Sequence, residues 1–556
     1  MTTPPRISAT DTDRIKSRLG AAFLALSIVL GLAQIFACRY QLNPDAMDYL
    51  DIARQISLGH WSAVANGYWG TLTSVVMAPM FVLHPSAQWE LPLAHFHGML
   101  ALLAAFFAFQ WLLREFLRTL RERTGSADES LPEWAFWLLG YGIFVWVSFN
   151  VVFVESIGAD FLVTLFVYLG AAALLRLKPQ ASFSAFLLFG FVLGAGYWSK
   201  AIMFPTALVF LAVSIIKAPC WKKNVTSMLA FALIAAPLLA ALSIPRGRFT
   251  FGDSGKLNYA TFVSPAEPTI HWQGETPGGG TPKHPDRLIS GPVPVYEFNG
   301  PVAGTYPPSY DPSYWNEGRK PTFNLRAQIV VFLHHIPNVF ELLFLAQPPL
   351  TAGFIFLALW SGTGFVRRLA WRWDLFAVSF AIIGLYMLVH FETRFAAAFL
   401  ALIWLSAFAS LRISSDLSSR RTAGICVVAL VSIIVLSITS EIARRYINGC
   451  PDSALVDVHV AQQLNLPAGT PVAVVGPGNF AYWAHLAQLR IVSEVPDVYQ
   501  TAFWRLPADK RQQVYQSLGK TGATWLIAEP PAVLIGHLDE GWQPIGDTGH
   551  FRYRLQ

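Results

Sequence analysis

Residues 19–37 read Leu-Gly-Ala-Ala-Phe-Leu-Ala-Leu-Ser-Ile-Val-Leu-Gly-Leu-Ala-Gln-Ile-Phe-Ala, and residues 43–57, just beyond, read Asn-Pro-Asp-Ala-Met-Asp-Tyr-Leu-Asp-Ile-Ala-Arg-Gln-Ile-Ser. The first run is apolar and close to the roughly 20 residues that a helix needs to cross a bilayer. Asp45, Asp48 and Asp51 are therefore expected at a membrane surface, where carboxylates are costly if buried and ordinary if wet. Pro44 suits the opening of a helix. Neighbours three and four apart then place Asp45, Asp48 and, less closely, Tyr49 on one face. Leu50, Ile52, Ala53 and Ile56 form a second, apolar face, expected in the headgroup zone. A carboxylate cluster at the mouth of a membrane cavity is a candidate general base. The plain alternative is a solvated first turn whose acids suit the helix dipole.

Composition sets the environment around that motif. Of 556 residues, 54% are hydrophobic and 13% charged, and the mean hydropathy is +0.44. These values exclude an ordinary soluble protein. The net charge of +6 is spread between apolar runs rather than gathered in one patch. The basic residues thus read as topology signals, not as a nucleic-acid surface. Cys38, Cys220, Cys426 and Cys450 have no metal-ligand spacing and form no obvious disulfide framework; Cys450 alone is expected clearly outside lipid. The first run lacks a small-x-small cleavage site, so it reads as a retained span.

About eleven spans follow from windows near 20 apolar residues: 19–38, 92–113, 133–153, 158–176, 183–199, 201–217, 225–244, 348–366, 374–391, 395–412 and 423–441. With the N-terminus in the cytoplasm, every inside turn is basic, from Arg6, Arg14, Lys16 and Arg18 to Arg412, Arg420 and Arg421. The organisation expected is a cytoplasmic tail (1–18), a transmembrane domain (19–441) with external loops 39–91 and 245–347, and an extracytoplasmic α/β domain (442–556). Leu72 to Leu83, broken by Pro79, reads as interfacial or re-entrant. Loop 245–347 is rich in Gly, Pro and aromatics, notably at 276–282 and 306–315. Residues 326–345, with His334 and His335, read as a helix lying along the membrane. In the last domain, helices at 456–464, from about 480 and at 507–520 alternate with strands at 471–475, 490–494 and 524–528, as in an α/β sandwich. Gly476-Pro-Gly478 follows a strand but lacks the dinucleotide fingerprint.

Few other ionisable residues lie at span boundaries. Glu155 and Asp160 flank the third and fourth spans, Lys200 follows the fifth, and His390, Glu392 and Arg394 join the ninth to the tenth. All are expected at the surface that carries Asp45. Arg and Lys at such a surface can neutralise a lipid phosphate; the alternative is turn residues that merely stay wet.

Several of these residues carry a resemblance. Asn43-Pro-Asp45-Ala-Met-Asp48-Tyr49 through Ala53-Arg54, after a first span, resembles the first-loop motif of the GT-C membrane glycosyltransferases. The branch resembled contains protein O-mannosyltransferases and lipid A aminoarabinose transferases. Asp45 takes the place of the family acid four residues before Tyr49. The usual Asp-Glu pair is broken, because Ala46 follows and Asp48 stands in for the companion acid. Ile157-Gly-Ala-Asp160 resembles the acid opening the fourth span. Gly196-Tyr-Trp-Ser-Lys200-Ala resembles the Gly-x-x-x-Lys-Gly turn, and Glu392-Thr-Arg394-Phe the Arg-Tyr turn before a late span. The motifs cover roughly residues 20–412.

The resemblance implies a bacterial inner (plasma) membrane enzyme. It would move a hexosyl or pentosyl group from a polyprenyl-phosphate donor in the lipid bilayer to a hydroxyl of an extracytoplasmic acceptor. Lys200 and Arg394 would bind the donor phosphate. Asp45, with Asp48, would serve catalysis as general base, inverting the anomeric carbon. Asp160, Glu155, Glu392 and His390 would lie near the acceptor or a divalent metal ion, which the sequence does not specify; no other cofactor is implied. The rival readings are a transporter or flippase of envelope precursors, and a non-catalytic envelope scaffold. Ionisable groups at one surface, with no internal repeat or broken-helix pair, argue against the transporter.

Overall fold

In a computed structural model, residues 9–124, 131–264, 271–274, 278–284, 287–298, 303–362, 364–451 and 453–555 are described. Arg6 and the first two residues of the 276–282 run lie outside them. The chain divides into two compact units. One comprises Met1–Cys38, His95–Ile244 and Leu325–Cys450; the other comprises Arg39–Ala94, Pro245–Asn324 and Pro451–Gln556.

The first unit is helical because its sequence is a series of apolar runs cut by short polar turns. Each expected span coincides with a helix: Ala9–Ala37, Ala87–Thr124, Glu133–Trp146, Asp160–Arg176, Phe183–Tyr197, Met203–Lys217, Trp221–Arg246, Pro348–Ser361, Trp373–Met387, Thr393–Ala409 and Leu417–Asn448. The third continues as a π-turn through Val152. Side-chain caps set two of the starts: Ser182 accepts from the Ala185 amide and Asp416 from the Ser419 amide, satisfying otherwise orphaned N–H groups. Among the described residues, seven helical stretches are long and apolar enough to cross a membrane unaided. Phe183–Tyr197 and Met203–Lys217, 15 residues each, rise only about 22 Å against a hydrocarbon core of about 30 Å, so flanking turns must share the crossing. The chain is a multi-pass α-helical membrane protein.

Residues 325–345, expected to lie along the membrane, form the Leu325–Phe340 helix and the turn following it, which is one of the seven stretches long and apolar enough to cross by length and composition. Glycines set close helix contacts elsewhere. A Cβ on Gly190 would lie 2.1 Å from the Ser227 carbonyl oxygen, and one on Gly194 would lie 2.7 Å from Ile234 Cβ. This G-x-x-x-G face lets the Phe183–Tyr197 helix lie against Trp221–Arg246. The cysteine expectation fails: Cys38 and Cys450, 412 residues apart, form a disulfide with Cα atoms 5.3 Å apart. Such a long separation has no signature in local spacing.

The second unit is built on one seven-stranded sheet. Its strands are β1 (Arg287–Ile289), β2 (Val295–Glu297), β3 (Pro471–Val475), β4 (Arg490–Val495), β5 (Trp525–Ala528), β6 (Trp542–Pro544) and β7 (Phe551–Arg554). Their order is β1-β2-β4-β3-β5-β7-β6. β3 pairs in parallel with β4 and β5, and every other pairing is antiparallel. The three central strands are those expected from sequence; β3 and β5 read as continuous apolar runs because both faces are covered, whereas β4 also buries Ser493 and Glu494. Val472, Val474 and Ile491 pack on one face against Met47, Tyr306, Trp315 and Trp483. Ala473, Val475 and Leu526 pack on the other against Phe503, Trp504 and Tyr515. The loop expected at 245–347 therefore supplies two strands and several core aromatics to the sheet of the C-terminal region.

The motif helix, Ala46–Ser57, belongs to this unit and is not interfacial. Leu50 and Ala53 have no exposed surface and Ile52 is 1% exposed. Ile52 and Ile56 pack with Ala78 of the Thr71–Val82 helix and with Tyr310; burying each such aliphatic side chain is worth about 1.5–3 kcal/mol. The apolar face expected in lipid headgroups is thus satisfied by protein.

An ionic clamp fixes the same helix. His485, fully buried, has Nδ1 2.6 Å from Asp51 Oδ1 and Nε2 2.7 Å from Glu90 Oε1. Arg54 donates to Glu90 Oε2 at 2.9 Å and to the His485 carbonyl at 2.8 Å. Tyr482 donates its hydroxyl to Glu90, and Thr305 donates both its amide and hydroxyl to Asp51. With a carboxylate at each ring nitrogen, both nitrogens carry protons.

Two outcomes are expected from this architecture. Intact-mass measurement after alkylation should show modification at Cys220 and Cys426 only, the two free cysteines, with Cys38 and Cys450 added after reduction; alkylation of Cys38 without reductant would contradict the pairing. The second concerns pH. Burial and Arg54 oppose charge on His485, but Glu90 and Asp51 outweigh them and raise its pKa. The clamp therefore contributes fully below the ordinary value of about 6.5 and weakens as pH rises through the higher folded value. The thermal midpoint of the wild type should fall over that rise, and His485→Gln, destabilised by about 3–5 kcal/mol, should lack that step. Parallel pH profiles for the two proteins would refute the clamp.

Candidate active site

In the helical unit, three sites distant in sequence meet. Asp160 opens the Asp160–Arg176 helix, where a carboxylate suits the helix dipole. Lys200 sits in the turn between Phe183–Tyr197 and Met203–Lys217. That turn is held by Ser199, whose hydroxyl donates to the Gly196 carbonyl at 2.6 Å. Arg394 is the second residue of Thr393–Ala409, a helix buried continuously from Ala396 to Ala409, so its first turn is rigidly based. Lys200 Nζ lies 2.9 Å from Asp160 Oδ1, and an Arg394 terminal nitrogen lies 3.4 Å from Asp160 Oδ2.

A second acid completes the cluster. Arg394 Nε donates to Glu392 at 2.6 Å, and His390 Nε2 lies 3.0 Å from the other Glu392 oxygen. Burial works against ionisation of Glu392, yet His390 and Arg394 hold its pKa down at about 2. Phe395 lies beneath both cations: Lys200 Nζ is 4.3 Å from its ring centroid and the Arg394 guanidinium carbon 5.4 Å. Tyr386 stacks on that ring at 4.8 Å. The side chains of Lys200 and Arg394 remain 26% and 22% exposed, against 9% for Asp160. Asp160 contacts both cations and Glu392 takes the Arg394 Nε–H, positioning them while part of each side chain stays exposed to an anion.

Glu155 has a different partner. It pairs at 2.7 Å with Arg445 of the Leu417–Asn448 helix, and burial pushes its pKa up to about 7. Among the described residues no three His, Cys, Asp or Glu side chains converge in a way that would hold a metal ion. Asp160 and Glu392 direct their oxygens at cations and an imidazole instead, so no step is assigned to a metal.

The acidic motif lies in the sheet-containing unit. Asp45 is the N-cap residue of the Ala46–Ser57 helix and makes no side-chain capping bond; it is half-buried, with part of its surface open. Asp48 is 1% exposed and accepts the Ser309 hydroxyl at 2.6 Å. Burial raises its pKa well above the ordinary value of an aspartate. Asp51 is consumed by the His485 clamp. The three acids of the motif are therefore unequal, and Asp45 alone retains substantial solvent access.

Sequence reading missed the partners that make this so. His485, Glu90, Thr305 and Ser309 come from segments far from the motif and match no local pattern; Arg54, visible in Ala53-Arg54, was the one available signal. It also missed Glu494, 1% exposed, which accepts the Tyr306 hydroxyl at 2.9 Å and faces His271. Gly476-Pro-Gly478 proves to be a packing feature: a Cβ on Gly478 would lie 2.5 Å from the Tyr306 ring and 2.6 Å from Glu494 Oε2.

No protein-family model and no curated protein matches the sequence. Solved structures do. ArnT from Cupriavidus metallidurans bound to undecaprenyl phosphate superposes with a TM-score of 0.53 at 12% identity, over 96% of this chain and 97% of that one. Its apo form gives the same values. An oligosaccharyltransferase from Archaeoglobus fulgidus, complexed with Zn and sulfate, is similar at 10% identity over 91% of this chain and 68% of that one, with a TM-score of 0.45. The chain shares its fold with ArnT along nearly its whole length.

Proposed function

We propose that the protein is a membrane glycosyltransferase that moves a sugar from a polyprenyl-phosphate donor to a hydroxyl of an extracytoplasmic acceptor. The observation that carries this reading is the Asp160–Lys200–Arg394 cluster, assembled from three separate segments in a fold shared with ArnT, which has been solved bound to undecaprenyl phosphate. The Cys38–Cys450 disulfide supports an oxidising, extracytoplasmic setting for the ends of the Ala9–Ala37 and Leu417–Asn448 helices. That agrees with basic turns on the cytoplasmic side and an N-terminus inside.

In the proposed reaction the acceptor oxygen attacks the anomeric carbon, and the bond from that carbon to the phosphate oxygen breaks. The electron pair leaves with the polyprenyl phosphate, whose charge Lys200 and Arg394 stabilise. The hydroxyl proton passes to Asp45. A single displacement inverts the anomeric centre. Asp160, Glu392 and His390 position the cations. Asp48, buried and bonded to Ser309, supports the helix that presents Asp45.

Transfer from a defined polyprenyl-phosphate sugar by purified, folded variants tests both halves. Lys200→Ala and Arg394→Ala should each lose about 10- to 150-fold in donor use, the equivalent of a charge-assisted hydrogen bond worth about 1.5–3 kcal/mol, whereas Lys200→Arg should retain part of it. Wild-type rates in both Ala variants would remove the phosphate role.

Asp45→Asn should lower the rate by about 100- to 10,000-fold, the usual contribution of a general base, without changing the amount of folded protein. Asp48→Asn should keep most activity and the Ser309 bond. It should also be at least as stable as wild type near neutrality, because a buried acid with a raised pKa costs stability once pH exceeds its unfolded value of about 3.9. An active Asp45→Asn beside an inactive Asp48→Asn would transfer the base to Asp48.

A further inference from the structure

A second polar feature of the helical unit takes no part in the proposed transfer. A cavity of about 500 Å³ is lined by Lys16, Gln110, Arg114, Arg121, Glu133 and Trp137, among others. Its size falls within the roughly 300–1,000 Å³ of small-ligand sites. Three cations face one carboxylate. Lys16 contacts Glu133 at 2.6 Å, and Arg121 bonds to the same oxygen. Gln110 donates to the Tyr141 hydroxyl at 3.0 Å and accepts from Arg114 at 3.2 Å, which fixes the Arg114 side chain beside the cavity. Trp137 is 3% exposed, yet its indole N–H has no hydrogen-bond partner. A buried donor left unpaired costs about 1–3 kcal/mol. An excess of positive charge and an unused donor around one space is the requirement for an anion.

We infer that this cavity binds a phosphate-bearing anion, with an anionic lipid headgroup as its natural source. Lys16 lies three residues before the apolar run beginning at Leu19, Arg114 follows the run 92–113, and Glu133 opens the Glu133–Trp146 helix. The lining thus sits at the polar ends of three spans, at headgroup depth, where basic pockets between helices suit anionic lipids. Arg114 presents a planar fork to two phosphate oxygens, Lys16 a point charge, and Trp137 a single donor.

Native mass spectrometry of the full-length protein in detergent, with a thermal-shift series, tests the inference. The probes are phosphatidylglycerol, phosphatidylcholine and inorganic phosphate. Phosphatidylglycerol should bind and raise the thermal midpoint, phosphatidylcholine should do neither, and Arg114→Gln should weaken phosphatidylglycerol binding about tenfold. Lys16→Gln and Trp137→Phe should each weaken it by a smaller factor. Arg114 is exposed, so its variant should fold normally. If inorganic phosphate alone binds in an Arg114-dependent manner, the site is for the free anion and its chemistry stands. Equal binding of both lipids, or phosphatidylglycerol binding unchanged in Arg114→Gln and Lys16→Gln, overturns it. Neither result bears on Asp45, Lys200 or Arg394, so the inference fails or holds apart from the transferase reading.

Discussion

The sheet-containing unit depends on one interaction, the buried imidazole of His485 between Asp51 and Glu90. Two carboxylates with no exposed cation between them would repel in a low-dielectric interior. A doubly protonated His485, helped by Arg54, makes both acids tolerable. The same bonds join a residue of the first loop, one in the first turn of the Ala87–Thr124 helix, and one that follows β3. Thr305 adds the middle loop through its two bonds to Asp51. Four segments, at residues 51, 90, 305 and 485, are thereby fastened at one buried point, and the Ala46–Ser57 helix acquires a fixed position that its own propensity would not supply.

The clamp also sorts the acids of the motif. Asp51 is used up holding the fold. Asp48 faces inward and is satisfied in part by Ser309, in a setting that favours its neutral form. Asp45, at the helix entrance, is the one whose carboxylate keeps access to solvent. A sequence containing three aspartates at spacing three therefore yields one catalytic candidate, because burial distinguishes residues that periodicity treats alike.

Much of the fold was legible because its cause is local. An apolar run long enough to cross lipid has few other fates, so the spans could be placed from hydropathy and their turns from basic residues. β3 and β5 stood out because strands covered on both faces are apolar throughout. What escaped notice was nonlocal. β1 and β2 are three residues each, too short to show a period, and they join the sheet only because β4 offers them an edge. The Cys38–Cys450 bond spans 412 residues. The apolar face of Ala46–Ser57 was correctly seen as apolar but assigned to headgroups, because a sequence shows that a face is greasy without showing whether lipid or protein covers it.

The candidate site shows the same division. Asp160, Lys200 and Arg394 were visible singly, as charged residues where apolar runs end. Their assembly around one carboxylate was not, since nothing in the spacing of residues 160, 200 and 394 demands contact. What makes the arrangement chemically useful is the unequal exposure within it: the acid is nearly buried and the cations are not. An Asp–Lys–Arg group built only to stabilise helix packing would gain little, because exposed ion pairs contribute little and buried ones must first offset their desolvation. Holding two cations half-open over the Phe395 ring, with their acid tucked behind them, instead keeps positive charge available to a partner from outside the protein. A leaving phosphate is a partner of that kind, and the polar turns of a membrane helix bundle are where a lipid-borne phosphate arrives.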